Sequence, residues 1–350
     1  MTKILLIHQK QIQHYRITIY NYLSSYLKKQ GFELYIVAEG IEAGSPFNVE
    51  FKYDCIAQNY LNLKHYILDK KAQIVILFVN LKHLYLFPLL FFLKLSGIKS
   101  VYWGHGLDLQ KKHSVKNIAY HLEHNLVDAI ILYADFLRNY VNPKHHNKIF
   151  IANNTLNLSG CDGYNKRNIS ILSKFNITTR QNIICMGRMH KRKRIHDLIK
   201  AFRLLNRNDV GLVLAGPDSD GILKKIELER VYKTGPLYGK DADVLLSSCD
   251  IFCLPGAVGL SIVDAFRCGL PFITEEVDHG PEISYLKHGI NGFIVSKGDV
   301  SALAEKIKYL LDNDALRRKF SHKAIEIIKT EGHIDRLCEG FLEALQYVSM

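Results

Sequence analysis

The sequence has no apolar run long enough to cross a lipid bilayer. Its most apolar segment, residues 84–95, has 12 residues, whereas a transmembrane helix needs about 20. We predict that this segment is a buried helix, and a helix lying in a membrane interface is the alternative. The apolar run at residues 3–8 is too short for a secretory signal peptide and predicts a first β-strand.

Cysteine is also scarce. The seven cysteines are an odd number at scattered spacings, which argues against a disulfide framework and favours a reducing compartment. Cys249 and Cys253 have no second pair downstream, so a zinc site is not expected. Together with the missing signal peptide, this predicts a cytoplasmic protein.

Recognition motifs for two common ligand classes are missing as well. No Gly-x-Gly-x-x-Gly motif follows the first predicted strand, which disfavours an NAD-dependent enzyme. The net charge of +12 indicates an anionic partner, yet the basic residues are spread along the whole chain and form no known nucleic-acid motif. The charge therefore favours a phosphate-rich substrate or an anionic membrane surface, and a nucleic-acid-binding protein is the alternative.

What the sequence does contain is a regular alternation of strand and helix patterns. A chain of 350 residues is long enough for two domains with separate cores, and the alternation predicts that each is a doubly wound α/β domain. We predict an N-terminal domain at 1–165, a C-terminal domain at 175–330, and a site between them. A last amphipathic helix, within 331–350, is expected to pack back on the N-terminal domain. Other predicted elements include a strand at 74–79 and helices at 114–125, 134–141, 223–229, 300–312 and 314–330.

The stretch 255–271 carries the clearest pattern. Gly256 and Gly259 lie in a loop between an apolar strand and a short apolar helix, and Gly269 ends that helix. A glycine loop that leads into a helix N-terminus can bind an anion, because unpaired N–H groups and the helix dipole converge there. Asp264, one turn into the helix, could accept hydrogen bonds from hydroxyl groups of a ligand. An ordinary strand–loop–helix unit without a ligand is the alternative.

A second candidate site is a basic loop that follows another predicted strand. It begins at Gly187 and Arg188 and continues through Lys193 to the next helix. Side chains at the carboxyl end of a strand face the crevice in which open α/β sheets bind ligands. Arg188 could bind a diphosphate in a bidentate manner and Lys193 could act as a point charge. A solvated basic loop is the alternative.

Two further candidates lie in the N-terminal domain. His105 stands between two glycines, so a ligand could approach its ring closely, although a lone histidine is often structural. His14, Tyr15 and Arg16 open the first predicted helix, where Arg16 could hold a phosphate or a carboxylate.

These blocks resemble glycosyltransferase family 4, whose members are retaining enzymes of the GT-B fold, with two Rossmann-like domains facing a cleft. That family carries two glutamates eight positions apart, with Gly-Leu between them and Ala after the second. Gly259 and Leu260 match the middle pair, and Asp264 stands at the second glutamate. Gly256 replaces the first glutamate. The resemblance covers most of the chain and is strongest from about 182 to 295.

The resemblance assigns roles to the candidate residues. Arg188 and Lys193 match an Arg and a Lys that hold the donor's diphosphate, and His105 matches a histidine that orients sugar hydroxyls or polarises the reaction centre. The implied catalytic residues are His105, Arg188 and Lys193. The implied donor-binding residues are Arg188, Lys193, Gly259, Leu260, Ser261, Asp264 and Glu282. The implied acceptor-binding residues are His14, Tyr15 and Arg16.

The implied function is transfer of a sugar from a nucleotide-diphosphate donor, with retention of configuration, to a saccharide or lipid-linked saccharide. Members of this family often build bacterial surface polysaccharide, such as O-antigen, capsule or lipopolysaccharide, at the inner face of the cytoplasmic membrane. They generally need no metal, and we expect no cofactor. We therefore interpret residues 218–220, an Asp-x-Asp pattern, as a turn and not as a metal site.

Gly256 is the main departure from the family pattern. The family's first glutamate contacts hydroxyls of the donor sugar, which glycine cannot do. Either the donor sugar differs, or Glu275 or Glu282 supplies the missing carboxylate, or the protein binds sugar nucleotides with little catalysis. Because Asp264 and the basic loop are retained, we favour an active enzyme with an altered sugar preference.

Overall fold

The computed structural model describes residues 1–77, 83–109, 117–157 and 167–350. The end of the strand predicted at 74–79 and the start of the helix predicted at 114–125 lie outside these ranges. The chain divides into two compact units. Unit 1 comprises Met1–Asn157 and His333–Met350, and unit 2 comprises Leu158–Gly332.

The described part of unit 1 contains a seven-stranded sheet in which all neighbouring strands are parallel. The strands of unit 1 are β1 (Thr2–Ile7), β2 (Gln11–Ile12), β3 (Phe32–Ala38), β4 (Gly40–Ile41), β5 (Lys52–Cys55), β6 (Ile74–Leu77), β7 (Lys99–Gly104), β8 (Ala129–Leu132) and β9 (Ile149–Ile151). The order in the sheet is β5-β3-β1-β6-β7-β8-β9, while β2 and β4 form a separate pair. Strands β6 and β8 are buried along their whole length, as expected when helices cover both faces of a parallel sheet.

The helices of unit 1 follow the predicted order with one addition and one correction. They are α1 (His14–Lys29), α2 (Tyr60–Lys70), α3 (Leu86–Leu95) and α4 (Asn117–Leu126). Helix α2 was not predicted, because only Leu63 and Ile67 among its residues are buried and its apolar periodicity is weak. The α-helix predicted at 134–141 is wrong. The chain forms a 3-10 helix at Asp135–Tyr140 and becomes extended at Val141, shortly before Pro143, which cannot continue a helix.

The described part of unit 2 contains a six-stranded parallel sheet. Its strands are β10 (Gln181–Met186), β11 (Val210–Ala215), β12 (Val231–Gly235), β13 (Ile251–Cys253), β14 (Phe272–Glu275) and β15 (Gly292–Val295). Its helices are α5 (Ile169–Lys174), α6 (Ile195–Leu205), α7 (Gly239–Ser247), α8 (Ser261–Arg267), α9 (Val300–Asp312) and α10 (Asp314–Thr330). The helix predicted at 223–229 is wrong, because only Leu223–Lys225 forms a 3-10 turn and Ile226 is already extended toward β12.

The last helix, α11 (Ile334–Ser349), belongs to unit 1. It packs against α1, β8 and β9, and Phe341 contacts the Trp103 ring at a centroid distance of 4.9 Å. The contact with β9 is close enough that a Cβ at Gly340 would lie 2.1 Å from the carbonyl oxygen of Ile151. No helix in the described ranges combines the length and the apolar character of a transmembrane span.

Each sheet reverses its strand order beside its first strand. In unit 1 the reversal lies between β1 and β6, and in unit 2 between β10 and β13. Each unit is therefore a doubly wound, Rossmann-like domain, as the sequence predicts. Open sheets of this kind bind ligands beyond the carboxyl ends of the strands at the reversal. We therefore expect ligand sites at the loops after β1, β10 and β13.

Candidate functional site

In unit 2, the loops that follow β10 and β13 are joined by backbone hydrogen bonds. We call residues 187–194 the basic loop and residues 254–260 the glycine loop. The amide of Gly256 donates to the carbonyl of Lys193 at 3.1 Å, and the amide of Ala257 donates to the carbonyl of Arg192 at 2.9 Å. The Nζ of Lys193 also donates to the carbonyl of Ala257 at 2.9 Å. The basic loop is thus fixed against the glycine loop where the strand order reverses.

This pairing requires glycine at position 256. A Cβ there would lie 2.0 Å from the carbonyl oxygen of Arg192 and 2.6 Å from the Cα of Lys193. Because backbone atoms on both sides occupy that space, a glutamate cannot stand at position 256 while the two loops are paired. The departure from the family pattern therefore has a packing cause.

A third loop, after β14, joins the glycine loop through His279. The amide of Val258 donates to the Nδ1 of His279 at 3.2 Å, and the Nε2 of His279 contacts the carbonyl oxygen of Glu275 at 2.8 Å. These partners require a neutral ring with its proton on Nε2. Burial lowers the pKa of His279, which favours that neutral form. The amide of Gly280 donates to the carbonyl of Val258 at 2.9 Å and completes the connection.

Glu275 anchors the end of the basic loop. Its side chain is fully buried, and its Oε2 accepts hydrogen bonds from the Nε of Arg194 at 2.8 Å and from the amide of Gly298 at 2.9 Å. Arg194 has a left-handed backbone, with φ of 52°, and directly precedes α6. The carboxylate of Glu275 is therefore engaged in holding this strained residue. Of the two glutamates considered as a substitute for the missing carboxylate, Glu282 is the better candidate.

The implied diphosphate-binding residues differ in their surroundings. Arg188 is exposed, and it makes no ion pair with a described residue. Burial lowers the pKa of Lys193, while nearby Cys185 and the carboxylate of Glu282 oppose that effect. The loop after β10 thus carries two cations, the exposed guanidinium of Arg188 and the half-buried ammonium of Lys193.

Of the remaining implied donor residues, Glu282 is buried in a 3-10 helix, Pro281–Tyr285, and the others lie at or near the start of α8. Leu260 precedes this helix, and the Oγ of Ser261 is buried without a hydrogen-bond partner among the described residues. Asp264 pairs with Arg267, with 3.1 Å between Oδ1 and Nη2. Burial raises the pKa of Asp264, although the charge of Arg267 opposes that effect. A ligand hydroxyl at Asp264 would therefore share the carboxylate with Arg267.

Unit 1 contains a separate cavity of about 370 Å³. Residues after β1, in α1, at the end of β7 and in α4 contribute to it. The lining residues are His8, Gln9, Gln13, Arg16, Tyr20, Tyr102, Trp103, Gly104, His105, Leu107, Tyr120 and Tyr133.

Arg16 is a buried cation beside this cavity. It is 9% exposed, its Nη2 donates to the hydroxyl of Tyr133 at 3.2 Å, and its guanidinium lies 4.8 Å from the centroid of the Trp103 ring. In the described ranges no carboxylate pairs with Arg16, and neither its Nη1 nor the Nε1 of Trp103 has a hydrogen-bond partner. A buried cation without a counterion is costly, so this site suits an anionic group.

The two histidines of the cavity are held neutral. Burial, followed by the charge of Arg16, lowers the pKa of both His8 and His105 to about 4. His8 is fixed by the hydroxyl of Tyr20 at 2.7 Å from its Nδ1 and by the carbonyl of Gln11 at 3.3 Å from its Nε2. At neutral pH, His105 can therefore orient a hydroxyl by hydrogen bonding, but it carries no charge.

The predicted acceptor residues are only partly brought together. Arg16 and His105 line the same cavity, whereas His14 pairs with Glu42 at 3.0 Å and is not among the lining residues. Tyr15 does not line the cavity either, although its ring lies 5.6 Å from the guanidinium of Arg16. Sequence reasoning missed the cavity residues His8, Trp103 and Tyr133. Their one sequence signal is that each lies at or just after the carboxyl end of a strand.

The Asp-x-Asp pattern at 218–220 has a local structural role. The carboxylate of Asp218 accepts hydrogen bonds from the amides of Ile222 and Leu223, both at 2.8 Å. Across the described residues, no group of three or more His, Cys, Asp or Glu side chains is arranged to hold a metal ion.

Comparison with known proteins identifies the family of unit 2. Residues 170–327 match the family model described as glycosyl transferases group 1, which confirms the resemblance inferred from the sequence. The N-acetyl-alpha-D-glucosaminyl L-malate synthase of Bacillus anthracis is 26% identical over 194 residues, covering 53% of this chain and 50% of the relative. The O-antigen chain mannosyltransferase B of Escherichia coli is 28% identical over 163 residues, covering 43% and 42%. The chain thus spans at most half the length of these curated relatives.

The likeness extends to the whole chain in three dimensions. The structure of Anabaena HepE in complex with UDP-glucose superposes with a TM-score of 0.71, at 17% identity, covering 99% of this chain and 100% of that chain. At this level of identity the likeness defines the fold. The chain therefore has the GT-B fold, with two Rossmann-like domains.

We expect Gly256→Ala to lower the free energy of unfolding of the ligand-free protein by about 1–3 kcal/mol, the usual effect of forcing extra atoms into a packed region. Gly259→Ala is the matched control in the same loop, because a Cβ at position 259 would meet no atom within 4 Å. Urea unfolding of both variants measures the difference. Equal stability of the two variants would contradict the pairing of the loops.

We expect His8 and His105 to be neutral at pH 6 and to titrate near pH 4, whereas an unperturbed histidine titrates at about 6.5. Between these values the unfolded chain binds more protons than the folded chain, so the free energy of unfolding should fall as the pH decreases from about 6.5 to about 4. NMR titration of protein labelled with ¹⁵N-histidine measures both midpoints. A midpoint near 6.5 for either ring would contradict its burial beside Arg16.

Proposed function

Because residues 170–327 match the family model of the group 1 glycosyltransferases, we propose that the protein is a retaining glycosyltransferase. It moves a sugar from a nucleotide-diphosphate donor to a saccharide or lipid-linked saccharide. The observation that carries this proposal is the basic loop, with Arg188 and Lys193, fixed against the glycine loop at the strand reversal of unit 2. The HepE structure, which holds UDP-glucose, supports a nucleotide-sugar donor.

The reaction breaks the bond between the anomeric carbon of the sugar and the diphosphate oxygen, and forms a bond from that carbon to an acceptor oxygen. The proton of the acceptor hydroxyl passes to the released diphosphate. Negative charge develops on the leaving diphosphate as the bond breaks. Arg188 and Lys193 would compensate that charge, and cations positioned before the reaction need no rearrangement. His105, neutral at physiological pH, would orient a hydroxyl by hydrogen bonding.

The acceptor is proposed to carry an anionic group that Arg16 binds. A buried guanidinium without a described counterion, next to a cavity of about 370 Å³, supports this assignment. The names of two relatives refer to a glucosaminyl malate and to an O-antigen chain. These names support a role in the synthesis of bacterial glycosides, either small molecules or surface polysaccharides. An acceptor linked to a lipid phosphate would bring the protein to the inner face of the cytoplasmic membrane.

A sugar-nucleotide-binding protein with little catalysis is the second candidate, and Gly256 favours it. The packing around position 256 argues for the active enzyme, because the missing glutamate accompanies an intact pairing of the basic and glycine loops. Transfer or hydrolysis of a donor, measured as release of the nucleoside diphosphate, distinguishes the two candidates.

We expect one nucleotide class among UDP-, GDP- and ADP-sugars to raise the melting temperature, whereas a CMP-sugar, which carries a single phosphate, should not. At a concentration a hundredfold above the dissociation constant, the donor should stabilise the fold by about 2.7 kcal/mol. The shift should vanish in an Arg188→Ala/Lys193→Ala variant, because the diphosphate loses both cations.

Lys200→Ala/Arg203→Ala is the matched control for this measurement. It removes the same charge from exposed positions of α6 and should keep the full shift. If no donor stabilises the wild-type protein, or if both double variants lose the shift equally, the proposed diphosphate site is wrong.

We expect Arg16→Gln to raise the KM of an anionic acceptor at least about tenfold, the size of one lost charge-assisted hydrogen bond, while the donor-induced melting shift stays unchanged. Removal of an uncompensated buried cation should leave the ligand-free protein as stable as the wild type or more stable. Acceptors with and without a carboxylate or phosphate, matched otherwise, are compared in the transfer assay. An equal effect on both kinds of acceptor would contradict an anion site at Arg16.

A further inference from the structure

The outward side of α3 is apolar except for Lys94 in its last turn. Leu84, Pro88, Phe91 and Leu95 follow the spacing i, i+4, i+7 and i+11, so they share one side of the helix and its preceding turn, and all four are exposed. Phe91 is 50% exposed and Leu95 is 89% exposed. The opposite side, with Leu86, Leu89, Leu90 and Leu93, is buried. The sequence prediction of a buried helix is therefore correct for one side of α3 only.

The two neighbouring helices extend this apolar surface. Helix α3 packs against α2 on one side and α4 on the other. Helix α2 exposes Leu61 and Leu68, and α4 exposes Ile118 and Leu122. We call the exposed side chains Leu61, Leu68, Phe91, Leu95, Ile118 and Leu122 the outer apolar surface. Single exposed apolar residues are ordinary, but a group on three adjacent helices indicates an interaction surface.

The charges around the outer apolar surface are mostly positive. Lys71, Lys94 and Lys99 are exposed on or beside these helices, and none of them forms an ion pair with a described residue. Lys64 lies with its Nζ 5.0 Å from the centroid of the Phe92 ring, between α2 and α3. Acidic residues are few here: α3 has none, Glu123 of α4 is buried, and the exposed Asp69 of α2 lies 3.9 Å from the Nζ of Lys70.

We propose that the outer apolar surface docks the protein on an anionic lipid membrane. Exposed leucine, isoleucine and phenylalanine side chains would enter the interfacial region, and the surrounding lysines would meet lipid phosphates. Self-association through the same surface is disfavoured, because a symmetric dimer would place these lysines against their own copies. The helices are too short to cross the bilayer, so the contact lies on its surface.

Helix α4 connects this surface to the cavity of unit 1. Tyr120 of α4 lines the cavity, while Ile118 and Leu122 of the same helix belong to the outer apolar surface. A protein docked in this way would hold its cavity near the lipid headgroups. This last step rests on the proposed function, since it applies to a lipid-linked acceptor. The docking itself does not require glycosyl transfer.

The test is co-sedimentation of the full-length protein with vesicles of phosphatidylcholine, with and without phosphatidylglycerol, in the absence of any sugar nucleotide. We expect binding to the anionic vesicles that decreases with added salt. Phe91→Ser/Leu95→Ser should weaken this binding at least about tenfold, and Lys94→Glu should weaken it on anionic vesicles. Because no donor or acceptor is present, the result does not depend on the proposed transfer reaction.

Matched variants on unit 2 control for general effects. Ile169→Ser/Leu204→Ser removes two equally exposed apolar side chains, and Lys308→Glu makes the same charge change at an exposed position of α9. Both should bind vesicles like the wild type, and all variants should keep the wild-type melting temperature. No binding of the wild type to anionic vesicles would overturn the proposal. Equal losses of vesicle binding in the unit 1 and unit 2 variants would also overturn it. The same holds if light scattering shows a wild-type dimer that Phe91→Ser/Leu95→Ser dissociates.

Discussion

Two backbone hydrogen bonds between the basic loop and the glycine loop determine the geometry of the site in unit 2. They form because position 256 has no side chain, which allows the backbone of Arg192 and Lys193 to approach it. The other contacts build on this pairing: Lys193 reaches the carbonyl of Ala257, and His279 joins the loop after β14 to the glycine loop. A residue that breaks the family pattern is therefore the one on which the local structure depends.

The cavity of unit 1 differs from the site of unit 2 in its arrangement of charge. It holds one buried cation, Arg16, and two histidines whose pKa values burial lowers to about 4. A site with one fixed positive charge and neutral hydrogen-bonding neighbours is selective for an anionic group, because the ligand supplies the missing counterion. The chain has a net charge of +12, and its positive side chains occur in at least three different environments among the described residues. These are the buried guanidinium of unit 1, the basic loop of unit 2, and the lysines around the outer apolar surface.

The sequence predicted those features that depend on local periodicity. Helices α9 and α10 were predicted to the residue, because their apolar positions repeat at helical spacing and Asp299 and Asn313 cap them. Helix α2 was missed because it buries too few apolar residues to produce a periodic signal. The basic loop was also predictable, since it follows an apolar strand. Its pairing with Gly256 was not, because a close approach of two backbones distant in sequence leaves no local pattern. The missing counterion of Arg16 likewise becomes visible only when all neighbours are known.

Whether the paired loops of unit 2 form a diphosphate site can be measured by titration calorimetry. The titration compares a nucleoside diphosphate with the nucleoside monophosphate of the same base, in the wild type and in Arg188→Ala. We expect the diphosphate to bind the wild type at least about tenfold more tightly than the monophosphate, which corresponds to about 1.4 kcal/mol, and Arg188→Ala to reduce this preference. Equal affinity of the wild type for the two nucleotides would show that the paired loops do not form a diphosphate site.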